Sequence, residues 1–429
     1  MSSVVIETPW RTSAAALAAR LRDRPGLFVL SSSPVQQASA ADVEASFVGA
    51  DPVERSTSLA PPDVRDARSW AGRRAAPRWV GLVPYESQRT ERAPYVAPET
   101  RPAPIVREPC WLRYDAVFRI DHATGIVAVE ADSQAAAGAL LARAARAPTS
   151  PMPFRVGTPS WSDDDEAHAS KVRAVLDWLF AGDAYQVNLA RRATFAFEGD
   201  ALAFFAALSR AAPSPFEFFL DAGAYVVAGA SPELALDWSG AELRTCPIKG
   251  TRARGTDAVS DALLRADLEG SEKERAELTM AIDLHRNDLG KIARFGSVRV
   301  LGAPTIVTGR TVMSRIAEVR ARVASDKGLA EILEAVVPFG SVTGAPKIRA
   351  MEIIRALESA RRGLYTGVIG TVRRDGGATL AMAIRTAVID RAEGLGEYFA
   401  GGGIVVGSEP AAEALETRWK AEQLLRVSG

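Results

Sequence analysis

Apolar and polar positions along the chain change period several times, and each change marks an element. Short β-rich runs come first, at Gly26-Leu27-Phe28-Val29-Leu30 and Trp79-Val80-Gly81-Leu82-Val83. Residues 93–109 hold five prolines (Pro94, Pro98, Pro102, Pro104 and Pro109). Proline fixes φ and removes a backbone donor, so this stretch is expected to be extended and exposed. Trp111 to Ile120 and Ile126 to Val129 predict a hairpin around Asp121-His122-Ala123-Thr124-Gly125. An alanine-rich helix is predicted from about Ser133 to Ala147, ended by Pro148, and Pro148-Thr149-Ser150-Pro151-Met152-Pro153 is the best linker.

Past the linker, Ser162-Asp163-Asp164-Asp165-Glu166 supplies an N-cap and acids for a first helical turn. Val172, Val175, Leu176, Leu179 and Phe180 then recur at helical spacing. Ala224 to Gly229 predicts a strand running up to Ser231-Pro232-Glu233. Leu364 to Val372 and Thr379 to Ile389 predict two buried strands joined by Arg374-Asp375-Gly376-Gly377, and a last helix runs from about Pro410 to Arg426. Strands and single helices alternate irregularly, and no Gly-x-Gly-x-x-Gly follows a strand. The expected class is α+β with mainly antiparallel sheet.

Composition narrows the function classes. The 429 residues carry 52 basic and 52 acidic side chains, so no overall basic field marks a binder of nucleic acid or membrane surfaces. An anionic substrate would need a local cluster of cations. The two cysteines, Cys110 and Cys246, argue against a disulfide framework, and no apolar stretch approaches the roughly 20 residues of a membrane helix. The N-terminus lacks a basic region followed by an apolar run, so no signal peptide is expected and the expected location is cytoplasmic.

Two segments offer paired carboxylates. Glu274 and Glu277, three apart on a predicted helix, project together; Glu413, Glu416 and Lys420 repeat the pattern near the C-terminus. Each pair alone is an ordinary solvated face, but converging faces would make an all-oxygen site suited to Mg²⁺. His122, His168 and His285 are scattered and predict no imidazole site. Phe339-Gly340-Ser341-Val342-Thr343-Gly344-Ala345-Pro346-Lys347 is a small-residue loop running into a helix, a place where N–H groups and hydroxyls can meet an anion. Gly401-Gly402-Gly403 allows close backbone approach or a hinge. Arg385 inside an apolar strand calls for an anionic partner. Gln186 and Asn188, after Gly182-Asp183-Ala184-Tyr185, either satisfy buried backbone groups or line a pocket. Pro247-Ile248-Lys249-Gly250-Thr251 holds an amine in a well-fixed turn.

The order Gly-Asp-x-Tyr-Gln-Val-Asn-Leu, Ser-Pro-Glu, Pro-Ile-Lys-Gly-Thr, Glu-x-x-Met-x-x-Asp-Leu-x-Arg-Asn-Asp, Gly-Ser-Val-Thr-Gly-Ala-Pro-Lys, Tyr-x-Gly-x-Ile-Gly, Ile-Arg-Thr, Gly-Gly-Gly-Ile-Val and Glu-Thr-x-x-Lys resembles the chorismate-utilising enzymes. The resemblance covers about residues 165–425, and residues 1–150 resemble the family's variable N-terminal part, leaving 151–429 as the catalytic region. It implies a large two-sheet core flanked by helices, the fold of anthranilate synthase component I. It implies Glu277 and Glu416 as direct Mg²⁺ ligands, with Glu274 and Glu413 acting through waters. Arg385, Tyr365, Lys420 and the Gly401-Gly402-Gly403 backbone would hold the pyruvyl side of chorismate, Thr343 would help at the ring, and Glu233 would protonate the departing C4 hydroxyl.

Lys249 selects the branch that the sequence resembles most, the aminodeoxychorismate synthases, in which such a lysine attacks C2 of the ring before ammonia enters at C4. That branch implies a separate glutamine amidotransferase subunit as ammonia source and a downstream lyase. Anthranilate-forming and isochorismate- or salicylate-type synthases, and a non-catalytic chorismate-binding paralogue, stay open. The last is suggested by Ser314, which stands where relatives have histidine in Val-x-His-Leu-x-Ser; Cys246 likewise stands where they have arginine.

Overall fold

The computed structural model describes residues 4–32, 44–62, 75–87 and 99–428. Pro94 and Pro98 of the proline-rich stretch lie outside these, and the described remainder, 99–109, contains neither helix nor strand. The described residues build two large antiparallel sheets of 13 and 10 strands flanked by helices, the mixed architecture expected. The larger sheet runs from Val4–Glu7 through Val127–Ala131, Ala116–Asp121, Ala45–Gly49 and Phe28–Ser31. It continues through Phe216–Asp221, Tyr225–Ser231, Thr386–Asp390 and Leu395–Ile404 to Gln186–Gly199. The smaller includes Ile248–Ala253, Val312–Arg322, Glu242–Thr245, Leu234–Ser239, Ala378–Met382, Val368–Arg373, Pro77–Val83 and Cys110–Arg113. Strands from before residue 150 thus join both sheets.

The sheets face each other across one apolar layer, with Phe28, Phe218, Val227 and Val388 from the larger and Val80, Leu82, Leu112 and Ile369 from the smaller. Helices Ala14–Arg20, Gln134–Ala144 and Ala201–Ala211 cover the outer face of the larger sheet, and Glu272–Gly290 and Leu329–Val336 that of the smaller. Burial on both faces explains why several strands read as continuous apolar runs rather than alternating ones.

The same burial hid where strands change sheets. Trp111 to Ile120 is two strands, Cys110–Arg113 and Ala116–Asp121, in different sheets. Thr379 to Ile389 divides into Ala378–Met382 and Thr386–Asp390, again in different sheets. Tyr225–Ser231 passes to Leu234–Ser239 through Pro232-Glu233, where proline has no N–H to continue the ladder. Leu364–Gly367 is a turn, closed by Gly367 N donating to Leu364 O at 2.8 Å, so that strand begins only at Val368. The alanine-rich helix spans Gln134–Ala144 under a Ser133 cap, and the next helix, Asp165–Phe180, is capped by Asp164 of the expected run. The C-terminal helix is Pro410–Lys420, followed by the short Glu422–Leu425. Among the described residues no helix is long and apolar enough to cross a membrane.

Candidate functional site

Two of the sheet-to-sheet crossovers lie side by side, and each carries one of the expected site residues. Glu233 O accepts from Met382 N at 3.0 Å, and Arg385 O accepts from Ala230 N at 3.2 Å. The strands on either side hold both crossovers, so Glu233 and Arg385 are fixed at one seam. Arg385 has φ 52° and Thr366 φ 59°, left-handed conformations that L side chains rarely adopt. Thr366 N donates to Ala383 O at 2.9 Å, which ties these two strained turns together.

Arg385 does not lie inside a strand, as the apolar run suggested; it sits in the break. Its half-buried guanidinium has no hydrogen bond or ion pair with a described residue, and burial pushes its pKa down. It borders a cavity of about 320 Å³ whose wall also includes Ser314, Cys246, Ile248 and Phe216. Ser314 Oγ is 3.0 Å from Thr251 Oγ1 on the neighbouring strand. Glu233 is 7% exposed, and burial pushes its carboxyl up to about 7 against the opposing pull of the Lys249 ammonium. Tyr365 stacks on Phe399 with centroids 5.3 Å apart, and burial raises its phenol.

Lys249 lies on the strand Ile248–Ala253, opposite Arg315, beside an irregularity at Gly250. Gly250 has φ +73°, and a β-carbon there would come within 2.9 Å of Glu274 Oε2, so the bulge lets the helix Glu272–Gly290 pack directly on the strand. Across the site, a β-carbon on Gly403 would lie 2.9 Å from Gln186 Nε2 and 3.4 Å from Lys249 Nζ. One on Gly402 would lie 3.0 Å from Glu413 Oε2, 3.6 Å from Glu416 Oε1 and 3.7 Å from Lys420 Nζ. The glycine run is therefore a close-approach surface, flanked on one side by the amine and on the other by the acidic helix Pro410–Lys420. Gln186 Nε2 and Asn188 Oδ1 are buried and make no hydrogen bond to a described residue, so neither atom satisfies backbone, and Gln186 Nε2 lies beside Gly403.

The carboxylates of both helices reach this region. Glu277 is raised by burial and, further, by the charges of Glu274 and Glu416, with Lys249 opposing. Burial pushes Glu416 up too, but the ammonium of Lys420, 2.6 Å away, outweighs it and leaves Glu416 lowered. Burial raises Glu413, which accepts from Ser408 Oγ at 2.7 Å; Glu274 pairs with Arg252 at 3.1 Å. Among the described residues no three carboxylate, imidazole or thiol groups close around one point. A hydrated Mg²⁺ needs only one or two direct carboxylates, and Glu277 and Glu416, within each other's field, are a hard-oxygen pair of that kind.

The loop before Lys347 is held residue by residue. Lys347 Nζ donates to Pro338 O at 2.8 Å and pairs with Asp288 at 2.5 Å. Asp288 Oδ2 accepts from Gly340 N at 2.8 Å, His285 Nε2 lies 2.9 Å from Ser341 Oγ, and Arg362 donates to Val342 O at 2.8 Å. Thr343 is fully buried, its hydroxyl donated to Phe339 O at 2.9 Å, while its carbonyl accepts from Asn188 N at 2.7 Å. Lys420 Nζ donates to Gly401 O at 2.8 Å. Sequence reasoning did not single out Asp288, Lys347, His285, Glu358 or Arg362 as site-forming. The signal available was that Asp288 and Lys347 close two of the motifs.

Residues 23–426 match the family described as chorismate binding enzyme. Anthranilate synthase component 1 of Thermus thermophilus is 42% identical over 262 residues, 61% of this chain and 56% of that protein. Aminodeoxychorismate synthase component 1 of Klebsiella aerogenes is 40% identical over 260 residues, 61% of this chain and 57% of that protein. The chain thus aligns with little more than half the length of these relatives. The crystal structure of anthranilate synthase component I from Streptococcus pneumoniae superposes with a TM-score of 0.74 at 28% identity, covering 89% of this chain and 92% of that one. Relatives named for two different activities are about equally similar, so similarity fixes the group and leaves the reaction open. On its fold, its site and the match across nearly its whole length, the chain belongs to the chorismate binding enzymes.

Proposed function

We propose that this protein is the large component of an aminodeoxychorismate synthase, converting chorismate and ammonia to 4-amino-4-deoxychorismate in the cytoplasm. The observation that carries the reading is the position of Lys249: its amine meets the open face of Gly403, within the electrostatic reach of Glu233 and Glu277. The neutral amine bonds to C2 of the ring, the ring double bond shifts, and the C4 hydroxyl leaves as water with the proton of Glu233. Ammonia then bonds to C4, the ring double bond shifts back, the C2–Nζ bond breaks to release the neutral amine, and the new C4 ammonium returns a proton to the Glu233 carboxylate. A carboxyl held near 7 is suited to keep that proton at neutral pH.

Arg385, a guanidinium at the seam with no anionic partner among the described residues, is suited to a substrate carboxylate, and Tyr365, Lys420 and the Gly401–Gly403 backbone complete the hold on the pyruvyl side. Thr343 acts at the ring through the loop that carries it. Glu277 and Glu416 would hold Mg²⁺ directly and Glu274 and Glu413 would hold it through waters, where it would supply positive charge for the ring carboxylate. A glutamine amidotransferase subunit, suggested by the "component 1" names of the relatives, delivers the ammonia. A separate lyase consumes the product on the way to p-aminobenzoate and folate.

Product identification tests the reading. With chorismate, Mg²⁺ and ammonium the expected product is non-aromatic, becomes p-aminobenzoate only when a lyase is added, and is abolished by chelation. Rapid appearance of anthranilate fluorescence without a lyase would instead establish the reaction for which the Thermus relative is named. Chorismate binding without turnover would make the protein a binding paralogue.

A further inference from the structure

We infer that Arg362 is a positioning residue that locks three separate site-forming segments into one register, an inference that rests on the proposed chorismate reaction. Arg362 is 1% exposed and makes no hydrogen bond to Glu233 or Arg385. Its guanidinium spends each face on a different segment. Nη1 donates to Val342 O at 2.8 Å, next to Thr343, and to Thr366 Oγ1 at 3.2 Å, next to Tyr365. Nη2 donates to Asn188 O at 2.8 Å, on the strand that carries Gln186. Glu358 closes the fork at 2.6 Å and 3.0 Å, and also accepts from Ala190 N at 2.9 Å. The flat face lies 4.8 Å from the Tyr85 ring centroid and 5.5 Å from that of Tyr365.

None of the three segments is continuous in sequence with the others, and the hydrogen bonds to two of them go to backbone carbonyls. Only a planar five-donor fork can serve two carbonyls, a hydroxyl and a carboxylate at once; a lysine has three donors and no plane. The third segment, Leu364–Gly367, contains the strained Thr366, so a clamp is needed there to keep Tyr365 under its stacking partner. Displacing any of the three by about 1 Å is enough to cost two orders of magnitude in rate.

The test uses the full chain with three variants: Arg362→Lys, Arg362→Met, and the double Glu358→Gln/Arg362→Met. The double variant removes both buried charges together, so it keeps the fold even if Arg362→Met alone does not. Two readouts are taken on every folded variant. One is hydrogen exchange, by mass spectrometry, in peptides covering 186–190, 340–346 and 364–367. The other is kcat and KM for chorismate with Mg²⁺ and ammonium. The expected result for the double variant is exchange accelerated at least about tenfold in all three segments, with kcat lowered about ten- to hundredfold and KM changed less than about threefold. Arg362→Lys should recover thermal stability without recovering kcat. A folded double variant with wild-type exchange, or with acceleration in one segment only, overturns the clamp; so does wild-type kcat. If wild-type protein itself fails to turn over chorismate, the functional reading fails on its own, and the exchange data still decide whether Arg362 holds the three segments.

Discussion

Arg362 and Arg385 occupy neighbouring parts of the molecule, and their surroundings are opposite. Around Arg362 every donor is taken by a carboxylate, two carbonyls or a hydroxyl, and two aromatic rings cover its faces. Around Arg385 no described residue offers a partner, although its backbone is held in a left-handed conformation by the crossover. Desolvating a guanidinium is costly in both places, but only at Arg362 does the protein offset the cost. A buried cation that is fully paired builds the fold. One left unpaired beside a cavity is poised for an anion from outside. Lys249 and Glu233 belong with Arg385 in the second region, because neither is tied down by a hydrogen bond from its side chain to a described residue.

The largest effect should come from the unpaired region. Lys249→Ala is expected to lower ammonia-dependent turnover of chorismate by at least about a thousandfold, the scale of deleting a covalent nucleophile. Its melting temperature should stay near that of wild type, because the amine makes no hydrogen bond or ion pair with a described residue. Product formation and thermal unfolding measured on one preparation check both halves. A variant that melts early but keeps turning over would place Lys249 with the structural cations and dissolve the contrast.

Arg385→Gln and Arg362→Met make the direct comparison. Losing charge-assisted bonds to a substrate carboxylate should weaken chorismate binding roughly ten- to hundredfold for Arg385→Gln, with stability unchanged or slightly higher. Arg362→Met leaves Glu358 charged and buried without its partner, a loss of about 3–5 kcal/mol in unfolding free energy. Calorimetric titration with chorismate and denaturant unfolding separate the two. Equal destabilisation by both substitutions would show that Arg385 has a structural partner after all.

How much of this was legible in the sequence depended on whether a residue acts through its type or its placement. The acidic pairs at 274/277 and 413/416 could be read from helical spacing, and both helices formed as expected. The two-sheet α+β core followed from irregular alternation together with the family's motifs. The crossovers could not be read, because a chain buried on both faces is apolar whether it stays in one sheet or changes to another; only Pro232 and the lone charge of Arg385 hinted at the breaks. The roles of Asp288, Lys347 and Arg362 also lay beyond the sequence. Each acts on a group far away in sequence, Asp288 on the amide of Gly340, Lys347 on the carboxylate of Asp288 and Arg362 on the carbonyl of Asn188, and spacing carries no information about that.

Glu233 gives a pH-dependent version of the comparison. Its carboxyl is raised from 4.5 to about 7 by burial, so the folded protein binds a proton there that the unfolded chain releases above about 4.5. The stability it contributes is therefore fully present below about pH 4.5 and lost as pH rises through about 7. Glu233→Gln should remove that loss and be relatively more stable on the alkaline side. If Glu233 is the acid, kcat should fall about tenfold per pH unit above about 7, and the variant should lose this limb along with most of its activity. Lys249→Ala should raise the same group further, because the ammonium now opposes the effect of burial. A pH-independent kcat between 6 and 9 would remove Glu233 from the acid role.

The smallest effect should come from the cavity wall facing Arg385. Ser314 and Thr251 share one hydroxyl–hydroxyl contact of 3.0 Å between neighbouring strands, and both are partly exposed. Either hydroxyl can be replaced there by water, so Ser314→Ala should cost less than about 1 kcal/mol in stability. Turnover should stay within about threefold of wild type, because the proposed chemistry asks nothing of Ser314: the proton comes from Glu233 and the nucleophile is Lys249. Thr251→Val should behave alike, and the double variant should add nothing to either single one, since both remove the same contact. Steady-state rates for the three variants are sufficient to check this. A drop of more than about tenfold in Ser314→Ala alone would move the cavity wall into the reacting site and make the unpaired region larger than Arg385, Lys249 and Glu233 define.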